Sequence, residues 1–218
     1  MTDKSPQINP SFISRMARWF TPVLSTMIVL YGITTAYTAF QQSQVDNMEG
    51  DAQIVGLLEL ARSNDAYSVA DRKAVTDFDA ITQILVFRAT GADQEASNIL
   101  EDTLSDEALA SLFRSNDLDE DYYDLLYAEA DALYDNAFIA FGAAGSLGNI
   151  RTGYDIALLI LAVGLGFAGW SSLLGDDSKV GFVFGTASIV LFVIAVVILF
   201  NTLGLDMPAE VKPLAEFQ

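Results

Sequence analysis

Three alternating aspartates have a spacing at which carboxylates could bind a divalent cation: Asp117, Asp119 and Asp121. A calcium-binding loop begins in this way, but its sixth position needs a glycine and its twelfth a bidentate glutamate. Tyr122 and Ala128 occupy those two positions. Two interpretations follow. In the first, the aspartates form a weak metal site, so that calcium would raise the melting temperature and Asp119→Asn would abolish that increase. In the second, they open a helix whose dipole favours acidic residues.

The glycines of GLGFAG, residues 164–169, have the G-x-G-x-x-G spacing of a dinucleotide-binding turn. That turn follows a strand and faces a pyrophosphate, whereas no residue from 156 to 175 is charged. A phosphate would be very costly to desolvate in such an apolar segment. We therefore expect neither a nucleotide nor another cofactor, and we interpret the glycines as sites of helix packing.

Small residues spaced by four let transmembrane helices approach along their backbones. Three columns of this kind are present: Gly164, Ala168 and Ser172; Ala162 and Gly166; and Gly181 and Gly185. They predict close packing of apolar helices. Two interpretations stay open, namely packing within one chain and packing between chains.

Three stretches are long and apolar enough to cross about 30 Å of hydrocarbon as helices, 19–40, 154–174 and 181–203. We interpret the first as a retained anchor, because it is longer than the hydrophobic core of a signal peptide, although cleavage is the alternative. None of the three has an Asp, Glu, Lys, Arg or His at depth, which argues against a transporter. The remaining boundaries place a cytoplasmic tail at 1–18 and a C-terminal tail at 204–218.

Acidic residues are concentrated between the first and second spans. Residues 41–150 contain 22 Asp or Glu and 5 Lys or Arg, which gives −17 of the total net charge of −18. Such a field repels nucleic acid, so no nucleic-acid partner is expected. The chain has no cysteine and no histidine, which excludes thiolate and Cys/His zinc chemistry. A saline habitat is an alternative cause of the acidity.

The positive-inside rule sets the expected topology. Lys4, Arg15 and Arg18 precede the first span, so the N-terminus is expected in the cytoplasm and residues 41–150 outside the cell membrane. Arg151 lies on the supposed outer side, where Asp155 is four residues away and could pair with it across one helical turn.

The acidic segment reads as helices, without the alternation typical of strands. The first helix, 52–61, should bury one face, and one alternative is that it continues the first span outward. A break is expected at 63–68, with a capping box of Ser68 and Asp71 before the next helix. Two short helices, near 94–103 and 106–113, precede a long one that starts near Leu118. The residues predicted to face a core are Ile54, Leu57, Leu58 and Ala61, then Val75, Phe78, Ile81 and Leu85, then Tyr122, Leu126 and Leu133; Gly91 and Ser105 are predicted helix caps.

Together these features predict an all-α membrane protein with three transmembrane helices and an acidic helical-bundle domain inserted between the first and second. Residues 148–205, with a tyrosine opening the second span, the LAVGLGFAG body and a terminal apolar hairpin, resemble uncharacterised bacterial membrane proteins of domain of unknown function 4337. The resemblance implies the three-span architecture and no activity.

No group of residues marks a reaction, so we expect a non-enzymatic structural or accessory subunit. Its partners would be the lipid bilayer and either further copies of itself or other membrane subunits. One alternative is a sensory or ligand-binding head. Another is an oligomeric cation channel with an acidic vestibule, which Thr34, Thr35 and Thr38 of the first span could line.

Overall fold

A computed structural model describes residues 12–91, 94–174 and 178–205. Over these ranges the chain is helical, with no strand, which confirms the all-α prediction. Three of the helices include segments long and apolar enough to cross a membrane. The five helices are α1 (Phe12–Thr90), α2 (Gln94–Glu101), α3 (Asp106–Ser115), α4 (Glu120–Leu174) and α5 (Lys179–Leu203).

Helix α1 continues without interruption through residues 63–68, so the predicted break is wrong. The segment has no glycine or proline to stop a helix, and tertiary contacts hold it in place. The Ser63 hydroxyl donates to the carbonyl of Ala130 at 2.9 Å, and the Tyr67 hydroxyl donates to Asp131. The contact of Ser63 with α4 uses a hydroxyl that would otherwise favour a turn.

The helix ends show which local sequence patterns were sufficient to predict a helix cap. The capping box at Ser68 does not form, because Ser68 lies inside α1. Ser105 is the N-cap of α3 and accepts from the backbone N–H of Ala108, as predicted. Gly91 follows α1 with a φ of 65°, in the left-handed region that glycine adopts easily.

The chain forms two compact units. The apolar unit contains α1 up to Gly50, α4 from Ala144 and helix α5. The acidic unit contains residues Asp51–Ala143, with α2 and α3 between the other parts of α1 and α4. Residues 1–11 and 206–218 of the predicted tails, and residues 175–177 of the link before α5, lie outside the described residues.

Buried residues of the apolar unit recur every seven positions. This is the spacing of left-handed coiled-coil packing, in which the same face of each helix meets its neighbours turn after turn. Many of the buried side chains are small, so the helix backbones can lie close together. The repeats are Leu24, Tyr31, Thr38 and Val45 on α1; Leu147, Tyr154, Leu161 and Ala168, with Ile150, Ala157, Gly164 and Ser171, on α4; and Gly181, Ser188, Ala195 and Thr202 on α5.

The main hydrophobic core of the acidic unit joins α1, α3 and α4. Of the predicted stripe on α1, Ile81 is buried and Leu85 packs against the core, but Val75 and Phe78 are exposed. The stripe is therefore only half right, because the helix turns a polar residue, Asp77, towards the core. The core consists of Ala80, Ile81, Ile84, Leu104, Ala108, Leu112, Leu118 and Tyr122.

Nearer the start of the acidic unit, α1 and α4 pair along a narrow seam of small and polar residues. A side chain at Gly56 would meet the ring of Phe141, with its Cβ 2.7 Å from Cε1. The face predicted to be buried, Ile54 to Ala61, is instead exposed. The small residues face α4 because they allow the close approach. This α1–α4 seam consists of Ala52, Val55, Gly56, Glu59 and Ser63 on α1, and Ala130, Ala137 and Ala140 on α4.

Candidate helix-packing site and interaction surfaces

Tyr31 holds the three helices of the apolar unit together. Its side chain is fully buried, and its hydroxyl donates to the backbone carbonyl of Ser188 at 2.6 Å. The Phe192 ring meets the tyrosine ring edge-on at a centroid distance of 5.0 Å. On the other side lies Gly164, where an added Cβ would fall against the Tyr31 hydroxyl and 2.7 Å from its Cζ. One residue of α1 thus requires a glycine on α4 and a backbone carbonyl of α5 as the acceptor for its hydroxyl.

The predicted packing residues divide into two groups. Buried within the chain are Gly164, Ala168, Gly181 and Gly185, whereas Ala162, Gly166 and Ser172 are exposed. The buried positions of the first group favour packing within one chain. For the exposed residues of the second group, packing between chains stays a prediction.

Two buried hydroxyls in the apolar unit, those of Ser171 and Thr38, have hydrogen-bond partners that the columns of small residues did not indicate. Ser171, rather than Ser172, faces inward, and its hydroxyl donates to the carbonyl of Gly181 at 2.6 Å. It stands seven residues after Gly164, which is the repeat that identifies it. Thr38, proposed above as a pore residue, is buried and donates to the carbonyl of Thr34 at 2.8 Å, so its hydroxyl serves its own helix.

Charged groups on α1 and α4 meet at the end of the apolar unit. The predicted partner of Arg151 was Asp155, one turn away on the same helix. Arg151 instead contacts Asp46 at 2.9 Å and Glu49 at 3.2 Å on the neighbouring helix. The hydrogen bond to Asp46 raises the pKa of Arg151. Asp155 accepts from the amide of Gln42. Arg151 is therefore paired with acids of the neighbouring helix.

The three alternating aspartates lie at the start of α4. Arg114 donates two hydrogen bonds of 2.8 Å, one to each oxygen of Asp119, and these bonds lower the pKa of that carboxyl. Asp119 also caps α4 by accepting from the N–H of Tyr122 at 3.1 Å. Asp117 accepts from the adjacent backbone N–H of Leu118. This geometry favours the helix-start interpretation.

The metal interpretation of these aspartates lacks a converging ligand set. In the described part of the chain, no three side chains of ligand type gather closely enough to hold a metal ion. A cation at Asp119 would have to displace the guanidinium of Arg114. The cation site stays a prediction, for which melting in calcium is the test.

Asp77 is a buried carboxylate at the centre of the acidic unit that sequence reasoning missed. Its Oδ2 accepts from the hydroxyls of Ser105 and Tyr122, each at 2.8 Å. Ser105 is the N-cap of α3 and Tyr122 lies in the first turn of α4, so one carboxylate joins three helices. Burial, together with this acceptor, raises the pKa of Tyr122.

Two tyrosines, Tyr67 and Tyr127, join α1 and α4 at the surface of the acidic unit. Tyr67 donates to Asp131, and Tyr127 donates to Asp71 at 2.6 Å. The hydrogen bond to Asp71 raises the pKa of Tyr127 to about 12. Each bond needs a protonated tyrosine as its donor, so acidic side chains of this unit also take part in its structure.

An open groove of about 470 Å³ lies between α1 and α4 of the acidic unit. Its walls carry both charge signs, and Lys73 is already paired with Glu107 at 3.3 Å. Of the residues of α4 predicted to face a core, Leu126 packs against the main core, as predicted, and also lines this groove, whereas Leu133 is half-buried in the groove. The groove is an open amphipathic surface.

Comparison with known protein families, with curated proteins and with solved structures gives no match for this chain. The resemblance of residues 148–205 to the bacterial membrane proteins therefore stays a prediction. Function has to be argued from the surfaces described above.

Raising the pH above about 10 is expected to destabilise the acidic unit, because tyrosines then ionise more readily in the unfolded chain. The folded-state pKa values of Tyr122 and Tyr127 are raised, the latter to about 12. The stability they contribute is fully present below their unfolded pKa and is lost as the pH rises through the folded one. Circular dichroism and tyrosinate absorbance during alkaline titration measure this loss. Replacing both tyrosines by phenylalanine should flatten the dependence; an unchanged slope would contradict it.

Proposed function

We propose that this chain is a non-enzymatic membrane protein, a structural or accessory subunit that associates with itself or with a larger membrane complex. Its apolar unit crosses the bilayer, and its acidic unit contacts a partner. The three apolar helices and their small-residue packing support the anchoring part of this proposal. The charged cluster around Arg151 suits the level at which helices leave the lipid.

Uncovered apolar side chains on the acidic unit carry the proposal. Leu57 and Phe138 are 59% and 61% exposed, and Ile139 is 56% exposed. Large apolar side chains left exposed on a water-facing unit favour an interaction site. Lipid does not account for it if, as we propose, this unit lies outside the membrane with the N-terminus in the cytoplasm.

Native mass spectrometry of the full chain in mild detergent tests the proposal. We expect an oligomer or a complex with co-purifying membrane subunits, because burying the uncovered side chains stabilises the assembly. A monomer as the sole species, both in detergent and after reconstitution, would contradict it. The natural absence of cysteine allows single-cysteine variants on either side of the spans to report the orientation by labelling of intact cells.

A further inference from the structure

We infer that a row of tyrosine rings on one side of the acidic unit binds the arginine side chains of a basic segment in a protein partner. This inference rests on the proposed function, because it specifies the chemistry of the partner that the acidic unit contacts. The surface is formed by α1 and α4 together, and we call it the tyrosine row. It consists of Tyr67, Tyr123, Tyr127 and Tyr134, which are all the tyrosines of the acidic unit except the buried Tyr122.

The rings of the tyrosine row lie next to one another across the helix pair. The ring centroids of Tyr67 and Tyr127 are 5.8 Å apart, and the ring of Tyr123 lies 6.4 Å from that of Tyr127. The hydrogen bond to Asp131 is the main cause that raises the pKa of Tyr67, and the nearby Tyr134 adds to the increase. Tyr123 and Tyr134 are exposed, so their ring faces are open to a partner.

Aspartates border the rings and make them attractive to a cation. Asp131 accepts the hydroxyl of Tyr67, and Asp71 accepts that of Tyr127. Asp135 also lies close enough to add to the raised pKa of Tyr67. The face of a tyrosine ring already attracts cations, and a hydrogen bond from its hydroxyl to a carboxylate polarises the ring further in that direction. The tyrosine row therefore combines ring faces with negative charge.

The charge of the acidic segment favours a basic partner over a neutral or acidic one. Residues 41–150 carry a net charge of −17, which attracts a cationic segment from a distance and repels a second acidic chain. Three of the five Lys and Arg residues in this segment pair with acids outside the tyrosine row: Lys73 with Glu107, Arg88 with Glu101, and Arg114 with Asp119.

The arrangement of the rings fits several guanidinium groups better than one small ammonium ion. A cage for a single quaternary ammonium group places rings on several sides of one point. The rings of Tyr123 and Tyr127 are instead nearly parallel, at 14°. Tyr123 and Tyr134 are separated by eleven residues of α4, or about 16 Å. Planar guanidinium groups stack on aromatic faces, so a segment with successive arginines matches this row.

Binding of a short, fluorescently labelled oligoarginine peptide to the full chain in mild detergent tests the inference. Tyr123→Leu combined with Tyr134→Leu should weaken binding, measured by fluorescence anisotropy, by about tenfold. Two ring faces are lost in this variant, while every charge is kept. The hydroxyls that join α1 to α4 belong to Tyr67 and Tyr127, so these contacts stay in place, and circular dichroism checks the fold.

Three comparisons isolate the contribution of the rings. Phe113→Leu is the matched control, because it removes a ring that is 70% exposed on α3, outside the tyrosine row, and it should leave the affinity unchanged. Tyr123→Phe combined with Tyr134→Phe keeps both ring faces and should keep the affinity within about twofold. An oligolysine peptide of the same length should bind more weakly, because an ammonium group is more strongly hydrated and does not stack.

The outcomes separate this inference from the proposed function. A double leucine variant that binds oligoarginine as well as the original chain does would show that charge alone attracts the peptide, and it would overturn the tyrosine row. Tetramethylammonium chloride that competes far better than sodium chloride would identify a site for one small cation and overturn the arginine segment. Either result leaves the proposed function standing if native mass spectrometry shows an oligomer or complex. A chain that stays monomeric overturns the proposed function, and the partner assigned here falls with it.

Discussion

Gly164→Leu is expected to destabilise the apolar unit by about 3 kcal/mol, through overpacking of a site that has no free volume. Even the first added carbon would fall on the Tyr31 hydroxyl and 2.7 Å from Cζ. The tyrosine could escape only by giving up its hydrogen bond to the carbonyl of Ser188. Denaturant unfolding of the purified chain in detergent, followed by circular dichroism, measures the loss.

Gly166→Leu is the matched control for this substitution. It lies two residues away on α4, where no described atom comes within 4 Å of an added Cβ. It should change stability by less than about 0.5 kcal/mol. Gly164→Ala combined with Tyr31→Phe should be less damaging than the sum of the two single changes, because the phenylalanine lacks the clashing oxygen. Equal losses at positions 164 and 166 would show that Tyr31 does not set the helix spacing.

Asp77→Ala is expected to destabilise the acidic unit by about 3 kcal/mol, because the buried hydroxyl of Tyr122 and the half-buried hydroxyl of Ser105 lose their carboxylate acceptor. The hydroxyls of Ser105 and Tyr122 both donate to Asp77, so α1, α3 and α4 lose a shared contact. Thermal unfolding and amide hydrogen exchange of α3 should both show the change.

Asp79→Ala is the control for the buried carboxylate. It removes the same charge from the same helix, but Asp79 is exposed, so its effect should stay within about 0.5 kcal/mol. Tyr122→Phe, which removes one of the two donors, should cost about 1 kcal/mol. If Asp77 and Asp79 variants melt alike, general relief of negative charge would outweigh the buried hydrogen bonds.

The sequence was sufficient where the physical signal was long or strictly local. Apolar stretches of more than twenty residues predicted the helices that could cross a membrane, and charge separated the acidic segment from them. The caps at Ser105 and Gly91 were also predictable, since one side chain or one φ value decides them.

The orientation of each helix about its axis was not predictable in the same way. Periodicity analysis assigns large apolar residues to a core, but Leu57 and Leu58 are exposed and the α1–α4 seam is lined with small residues. In the apolar unit nearly every position is apolar, so hydrophobicity does not indicate which face of a helix is buried. Residue size does indicate it, because the buried positions Gly164, Ala168 and Ser171 are small.

Individual buried polar groups lay beyond sequence reasoning. Asp77 is one acid among many in its segment, and only the fold shows that it meets Tyr122. Tyr31 had a weak signal, since a tyrosine in the middle of an apolar segment needs an acceptor for its hydroxyl. Which carbonyl would accept depended on how α5 lies against α1.

The repeat of seven in the apolar unit also limits how related chains can diverge. Deleting one residue of α4 between Tyr154 and Leu161 would turn every later side chain by about 100° around the helix axis. Gly164 would then no longer face Tyr31. Homologues should therefore tolerate exchanges of similar volume along these helices while keeping their lengths fixed, so that insertions and deletions accumulate elsewhere.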